Sequence, residues 1–316
     1  MVFAPSISVL TSVYRGEIFL PKFLENLRSQ TVFPELELIL ILNEPTPLEK
    51  QISKDFQLKM PNQVEIQYAN KRETLGSSWN KAWKVARAPY LTMWNVDDRR
   101  LIDSLQRQLT AMYVNPDWSL CYGDYMMVPE YGLEQGSIRN PPAYRAHHFR
   151  RSFAQGGAFW LFRKDIHERV GYFDEQFSVG PDMELSFRLA TKGLEMGKCE
   201  GLLGYFTNAA QGLSTRDGSQ VSKIERTVIQ LRYGVFDKVD RDFLKQTKAY
   251  RLDAVKEADS WVLINTYVTN IESLIQWQKP LWMLGLFRRW FQILAKRFGL
   301  LGYIHDIQDR FLKREI

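Results

Sequence analysis

Apolar positions in the first hundred residues follow two alternating rhythms. Ile7–Val13, Leu36–Leu42, Val64–Tyr68 and Tyr90–Trp94 are short, mostly apolar runs of strand length. Between them, Phe19, Phe23, Leu24 and Leu27 mark one face of a helix over Phe19–Gln30. Gln51–Lys59 reads as a shorter helix, and Trp79, Ala82, Trp83 and Ala86 set a third over Ser77–Ala88. The fullest of these strands lack a polar face, which suits the interior of a parallel sheet covered on both sides. Strand and helix alternate at roughly 25-residue intervals, the βαβ pattern with right-handed crossovers.

The pattern loosens afterwards. A helix is expected over Ile102–Tyr113, with Asp103 as its cap, and a strand over Trp118–Val128 with a bend or bulge at Gly123-Asp124. Pro129–Arg151 has no period and reads as an irregular lid or substrate wall. Its adjacent His147 and His148 make a poor metal pair. Gln155–Phe162 bends into a strand, Asp165–Val170 is a short helix, and Gly180–Gly193 opens another in which Glu184 and Arg188 can pair. Gly201–Phe206 is the last strand expected of this sheet, followed by a polar Thr207–Gly218 loop able to close over a ligand. Helix is expected from Val221 to Tyr250 and from about Ala254 to Gln278.

After Pro280, Met283, Phe287, Trp290, Leu294, Phe298 and Leu301 form a stripe opposite Arg288, Arg289, Gln292 and Lys296. This basic amphipathic helix, about 281–301, suits a packed helix, an anionic membrane surface or a homodimer contact.

Composition narrows the class without naming it. At 316 residues, 45% apolar and 25% charged, the chain can bury a large core. A formal charge of +6 permits an anionic ligand or membrane but does not indicate nucleic acid, which is not expected as a partner. The two cysteines, Cys121 and Cys199, have no disulfide-framework or metal spacing, so a reducing compartment is expected. Pro5 and Ser6 interrupt any leader-like opening, and no apolar run is long enough to span a bilayer.

The chemistry collects at the carboxyl ends of the first four strands. They end in Thr11-Ser12, Asn43-Glu44, Asn70-Lys71-Arg72 and Asn95 to Asp98, and parallel strands would place all four on one edge. Adjacent carboxylates at Asp97 and Asp98 repel one another and favour a cation, although a strand-to-helix turn would also use such acids. Lys71 and Arg72 offer positive charge for phosphates, or a solvated turn. Neither a dinucleotide glycine fingerprint nor a P-loop lysine follows the first strand. Asp182, near the start of its helix, reads either as a general base or as a cap.

Ser8–Tyr14, Leu75-Gly76, Asn95–Asp98, Gly171–Asp174 and Pro181-Asp182, in that order, resemble a family 2-like glycosyltransferase of GT-A fold. The likeness runs from about Ile7 to Phe206. It implies an α/β fold with a mixed, mostly parallel sheet, to which the helical pattern after Val221 adds a helical carboxyl-terminal extension. It also implies a catalytic domain over 1–218, with a nucleotide-binding half (1–100) and an acceptor half (101–218), followed by the extension at 219–316. Donor contacts would come from Thr11, Ser12, Val13, Tyr14, Asn43, Lys71, Leu75 and Asn95. Asp97, with Asp98, would hold Mn²⁺ or Mg²⁺, and Asp182 would be the catalytic base. Asn95 replaces the family's usual first acid, Asn43 an Asp, and Pro181 the first acid of a Glu-Asp pair. These departures imply weaker metal affinity and an altered pocket.

The implied reaction is inverting transfer from a nucleotide-sugar donor, a UDP-sugar first and a GDP- or dTDP-sugar next, to a glycan or lipid-linked acceptor. The cysteine usage implies a cytoplasmic location, with a peripheral place on the inner face of the plasma membrane as the outcome if the basic helix binds lipid. A scaffold of the same fold with a failed site is the alternative that Asn43, Asn95 and Pro181 favour. A nucleotidyltransferase is a third reading, supported only by Arg15-Gly16.

Overall fold

The computed structural model describes residues 3–146 and 158–208, and beyond them 222, 225, 226, 229, 230, 233, 254–257, 260–263, 290, 294, 297 and 298. The four expected strands form as β1 (Ile7–Val13), β2 (Leu36–Asn43), β3 (Val64–Ala69) and β4 (Tyr90–Met93). β1 lies between β2 and β4, β3 lies outside β2, and all these pairs are parallel. Their carboxyl ends therefore share one edge, as the polar strand ends imply.

Three helices cross over the sheet: α1 (Leu20–Arg28), α2 (Pro47–Lys59) and α3 (Leu75–Val85). α2 starts before its apolar pattern does because a capping box sets its end. The Thr46 side chain accepts from Glu49 N–H, and Glu49 accepts from Thr46 N–H. α3 likewise begins early, capped by Thr74.

The second half continues with β5 (Arg99–Arg100), α4 (Ser104–Val114), β6 (Trp118–Val128), β7 (Ser137–Arg139), β8 (Leu161–Arg163), α5 (Ile166–Val170), α6 (Pro181–Thr191) and β9 (Glu195–Thr207). The described strands run β3-β2-β1-β4-β8-β6-β9-β5, with β7 on β6. β8 is antiparallel to both β4 and β6, so the sheet is mixed. The register shift around Asp124 in the β6–β9 pair is the expected bulge.

The apolar strands serve two cores. Leu10, Ile39, Ile41 and Leu91 meet Trp79, Trp83, Leu185 and Leu189 on one face. Ile7, Val9, Leu38 and Leu40 meet Phe23, Phe56, Leu105 and Leu109 on the other. Cys121 and Cys199 are buried free thiols.

Three expectations are corrected, and one strand is added. The irregular Pro129–Arg151 stretch contains β7, because residues 137–139 complete the open side of β6; His147, His148 and Arg151 lie outside the described residues. β5 is a strand that no local pattern announces. Asp103 occupies the cap position of α4 but makes no capping bond; its carboxylate instead accepts from Arg107 Nε at 3.0 Å. The helix expected from Ala254 begins as an antiparallel hairpin, β10 (Ala254–Glu257) with β11 (Ser260–Leu263). Val255, Trp261 and Val262 are residue types that favour strands. Of the preceding helical stretch, residues 222, 225, 226, 229 and 230 are helical, and Thr207–Gly218 beyond Asn208 is outside the described residues.

Trp83 is fully buried, donates to the Lys164 carbonyl at 3.0 Å, and packs edge-on against Phe162, Tyr172 and Phe173. Trp83→Ala should therefore lower stability by about 3–5 kcal/mol, read from the urea midpoint at unchanged denaturant slope.

Candidate active site

The edge begins at β1. Thr11 is fully buried and its hydroxyl donates to the Trp94 carbonyl at 3.0 Å, so it fastens β1 to the end of β4. Val13 is also fully buried, in the core. Ser12 and Tyr14 are the partly exposed residues of this strand end. The loop beyond is pinned by Glu49, a fully buried carboxylate that accepts from Gly16 N–H at 2.6 Å. Sequence reading missed Glu49; an acid three residues after Thr46 was the available signal.

Asn43 closes the next strand as a hub. Its amide donates to Ser12 Oγ and Ser78 Oγ, both at 2.9 Å, and its carbonyl accepts from Glu73 N–H at 3.1 Å. It is buried, so it shapes the pocket wall by joining β1, β2 and the start of α3. Near this hub, the Arg72 guanidinium lies 4.3 Å from the Tyr14 ring centroid. Lys71 is exposed on the same loop, and Leu75 is half-buried against the core.

β4 ends in the acidic turn. Asp98 is 3% exposed, with Oδ1 accepting from Thr207 N–H at 3.0 Å and Oδ2 from the Asn95 amide at 3.4 Å. Asp97 is more exposed. Burial raises both carboxyls above their ordinary range, and Asp97's charge pushes Asp98 further. Arg100 supplies the counter-charge. It is 2% exposed, lies over the Trp94 and Phe159 rings, and donates to Gln108 Oε1 at 2.8 Å and Thr92 Oγ1 at 2.6 Å. Burial lowers its pKa to about 9 against the opposing pull of Asp98. The Arg99-Arg100 pair after the acids was the sequence signal for it.

Asp182 reaches this edge from the other half. It lies in the first turn of α6, partly exposed, with Oδ1 accepting from Met183 N–H at 2.8 Å; Gly180, not Asp182, holds the cap position. The expected Glu184–Arg188 pair forms at 2.6 Å. α6 starts close against α3: a Cβ on Gly76 would lie 3.2 Å from Pro181 Cβ. Asn80 exchanges hydrogen bonds with the Phe173 backbone and donates to Glu175 Oε1, all at 2.9 Å. A polar residue on the Trp-rich buried face of α3 was the clue to that role.

Tyr125 of β6 connects the two acidic groups electrostatically. Burial pushes its phenol up, Arg139 opposes the rise, and the Asp182 and Asp98 carboxylates add to it. Burial also raises Tyr131, with Arg99 opposing and Glu25, Asp98 and Asp97 adding. The edge thus gathers Tyr14, Tyr125 and Tyr131 with cations at the β1–α3 side and carboxylates from both halves.

The Glycosyl transferase family 2 model matches residues 8–171, more than half of the chain. The chain belongs to glycosyl transferase family 2. A curated relative of this family-2 chain is the "Uncharacterized glycosyltransferase MJ1057" of Methanocaldococcus jannaschii, 29% identical over 131 residues, 40% of this chain and 44% of that one. The match thus spans less than half of that relative's length. S. aureus TarS 1-349 in complex with UDP-GlcNAc superposes with a TM-score of 0.58 at 14% identity, covering 94% of this chain and 83% of TarS. The mannosyltransferase PcManGT from Pyrobaculum calidifontis, in complex with GDP-Man and Mn²⁺, gives 0.55 at 12% identity, covering 95% and 85%. At such identities the likeness is one of fold, and that fold is GT-A.

The acids of the β4 turn offer hard oxygen donors suited to Mg²⁺ or Mn²⁺. Among the described residues no three His, Cys, Asp or Glu side chains form a cage. One or two carboxylates completed by substrate phosphates is an ordinary arrangement for such ions, so the residues fit.

A carboxyl raised on folding holds its proton to higher pH in the native state than in the unfolded chain. The buried acids therefore cost stability as pH rises through that window. In metal-free buffer, Asp97→Asn should be more stable than the native protein near pH 7. The gain should shrink to nothing as pH falls below about 3.8, the ordinary carboxyl value, in urea titrations across pH 3.5–8.

Proposed function

We propose that this protein is an inverting glycosyltransferase that moves a sugar from a nucleoside-diphosphate sugar to an acceptor hydroxyl. The observation that carries the reading is the approach of Asp98 and Asp182 to Tyr125, one carboxylate from each half of the fold. Ser12, Tyr14 and the Asn43 hub would receive the nucleoside, with Asn95 at the ribose or sugar. Lys71 and Arg72 are placed to offset phosphate charge. Asp97, assisted by Asp98, would hold Mn²⁺ or Mg²⁺, which when bound stabilises the charge growing on the leaving diphosphate.

Asp182 accepts the proton of the acceptor hydroxyl as its oxygen bonds to the anomeric carbon. The bond from that carbon to the diphosphate breaks on the opposite face, which inverts the configuration. A UDP-sugar is the first donor to test, followed by GDP- and dTDP-sugars, and the acceptor is a glycan or lipid-linked glycan. In this reading residues 1–218 carry the chemistry and 219–316 support it.

No helix among the described residues is long and apolar enough to cross a membrane. Trp290 and Phe298 are 58% and 69% exposed beside exposed Arg297, which supports a peripheral contact with an anionic membrane on its cytoplasmic face. A homodimer contact through the same region is an alternative use of those residues.

A binding-only reading draws on Asn43, whose donors and acceptor all have protein partners. Calorimetric titration with UDP, GDP and their sugar conjugates, with and without Mn²⁺, separates the two readings when paired with turnover assays. Native protein should bind one nucleotide in a metal-dependent way, and Asp97→Ala should lose that metal-dependent gain. Asp182→Asn should keep the nucleotide affinity and lose about 10²–10⁴-fold in turnover. Binding with no turnover across the donor and acceptor set would favour the scaffold, and no binding at all would remove the transferase reading.

A further inference from the structure

The Asp182 helix lies beyond the family-matched residues and is held by residues further along the chain. Glu225, 1% exposed, accepts from the backbone N–H groups of Ser178 and Val179 at 2.8 Å and of Gly180 at 2.9 Å, and from Ser178 Oγ at 2.7 Å. These are the three residues immediately before α6. A lone buried carboxylate would be unfavourable, and these four donors satisfy it. Ile229, four residues on and fully buried, comes close enough that a Cβ on Gly180 would meet its Cδ1 at 3.1 Å. Four residues further, Tyr233 stacks on Phe187 with ring centroids 5.9 Å apart, and its hydroxyl donates to Glu184. The i, i+4, i+8 spacing puts all three on one helical face. Glu184 in turn pairs with Arg188, which donates to the Tyr172 carbonyl at 2.8 Å.

We propose that Glu225 is a positioning residue for Asp182, and that Glu225, Ile229 and Tyr233 work as a brace that sets the base rather than as a passive extension. The proposal rests on the reading of Asp182 as the base. Backbone N–H groups before α6 that are tied to a fixed carboxylate cannot rotate, so the first turn carrying Asp182 keeps one orientation. Without that tie the turn samples others, and a reacting group misplaced by about 1 Å loses on the order of 100-fold in rate.

The test uses the full chain as native protein, Glu225→Gln, Gly180→Ala and Asp182→Asn. Amide hydrogen exchange is followed at residues 178–180 and 182–184, and UDP and GDP affinities are measured with Mn²⁺. Turnover is assayed on UDP-GlcNAc and GDP-Man. Glu225→Gln should exchange at least about 10-fold faster at Ser178, Val179 and Gly180, with the β1–β4 amides unchanged. Its kcat should fall by about 100-fold while nucleotide affinity stays within about two-fold. Gly180→Ala, which leaves every Glu225 donor in place but crowds Ile229, should show the same split in smaller degree and stands in should Glu225→Gln not fold.

Unchanged exchange at 178–180, or nucleotide affinity falling in step with kcat, would overturn the proposal. Turnover lost in Asp182→Asn but kept in Glu225→Gln would overturn the brace alone. Turnover kept in Asp182→Asn would overturn the base assignment, and the brace with it.

Discussion

The structure turns on how charge is accommodated beneath the edge of the sheet. Asp98 and Arg100 are both nearly inaccessible, two residues apart, at the point where the chain leaves β4. Ionised groups removed from water need partners, and each of these obtains them from distant segments. Asp98 takes the Thr207 amide at the end of β9, and Arg100 reaches Gln108 on α4 and Thr92 on β4 between two aromatic rings. The same contacts make β5 a strand: Arg99 and Arg100 pair with Tyr205 and Gly204, where a Cβ at Gly204 would lie only 2.3 Å from the Arg99 carbonyl oxygen. Asp97, beside this compensated pair, carries the remaining negative charge. A cationic ligand at the turn would relieve it, which links the instability of the site to its use.

The rest of the edge is built so that few polar groups are left loose. Thr11 and Asn43 stand at strand ends where a donor reading would put ligand contacts, and Glu49 lies beside them in the first turn of α2, yet each spends its side chain on the protein. They hold neighbouring loops at fixed separation, and that is what a pocket wall requires. Ser12, Tyr14, Asn95 and Asp97 are partly exposed along this edge and Lys71 and Arg72 more so, and these are the groups that the proposed donor would meet, with Asp98 buried beside Asp97. Asn43 illustrates the consequence of a departure from the family's acid. An amide can donate to Ser12 and Ser78 while accepting from Glu73 N–H, a combination closed to a carboxylate, which only accepts.

Much of the architecture was legible from residue order alone. β1 to β4 and their helices could be read because their signals are local: apolar runs buried on both faces, amphipathic spacing, and polar strand ends. Boundaries shifted where a cap overrode the apolar pattern, as Thr46 and Glu49 did for α2. β5 and β7 were not legible, since a two- or three-residue strand is defined by its partner and not by its own pattern. The hairpin at Ala254–Leu263 was misread as helix because a short segment of mixed period leaves the choice to pairing.

The sequence by itself determined the alternating α/β order, the shared polar edge, and the residue types able to bind an anion and a metal there. It also carried the family pattern over residues 8–171, Asp97 among them. Tertiary structure decided which of those residues remain available and which are consumed as supports. Asp98 finds its donor 109 positions away, and Glu225 holds a loop 45 to 47 positions earlier. Periodicity reports which side of an element faces the core, over a few turns or strands. It carries no information about which distant backbone N–H a buried carboxylate will meet, and that meeting sets both its charge and its role.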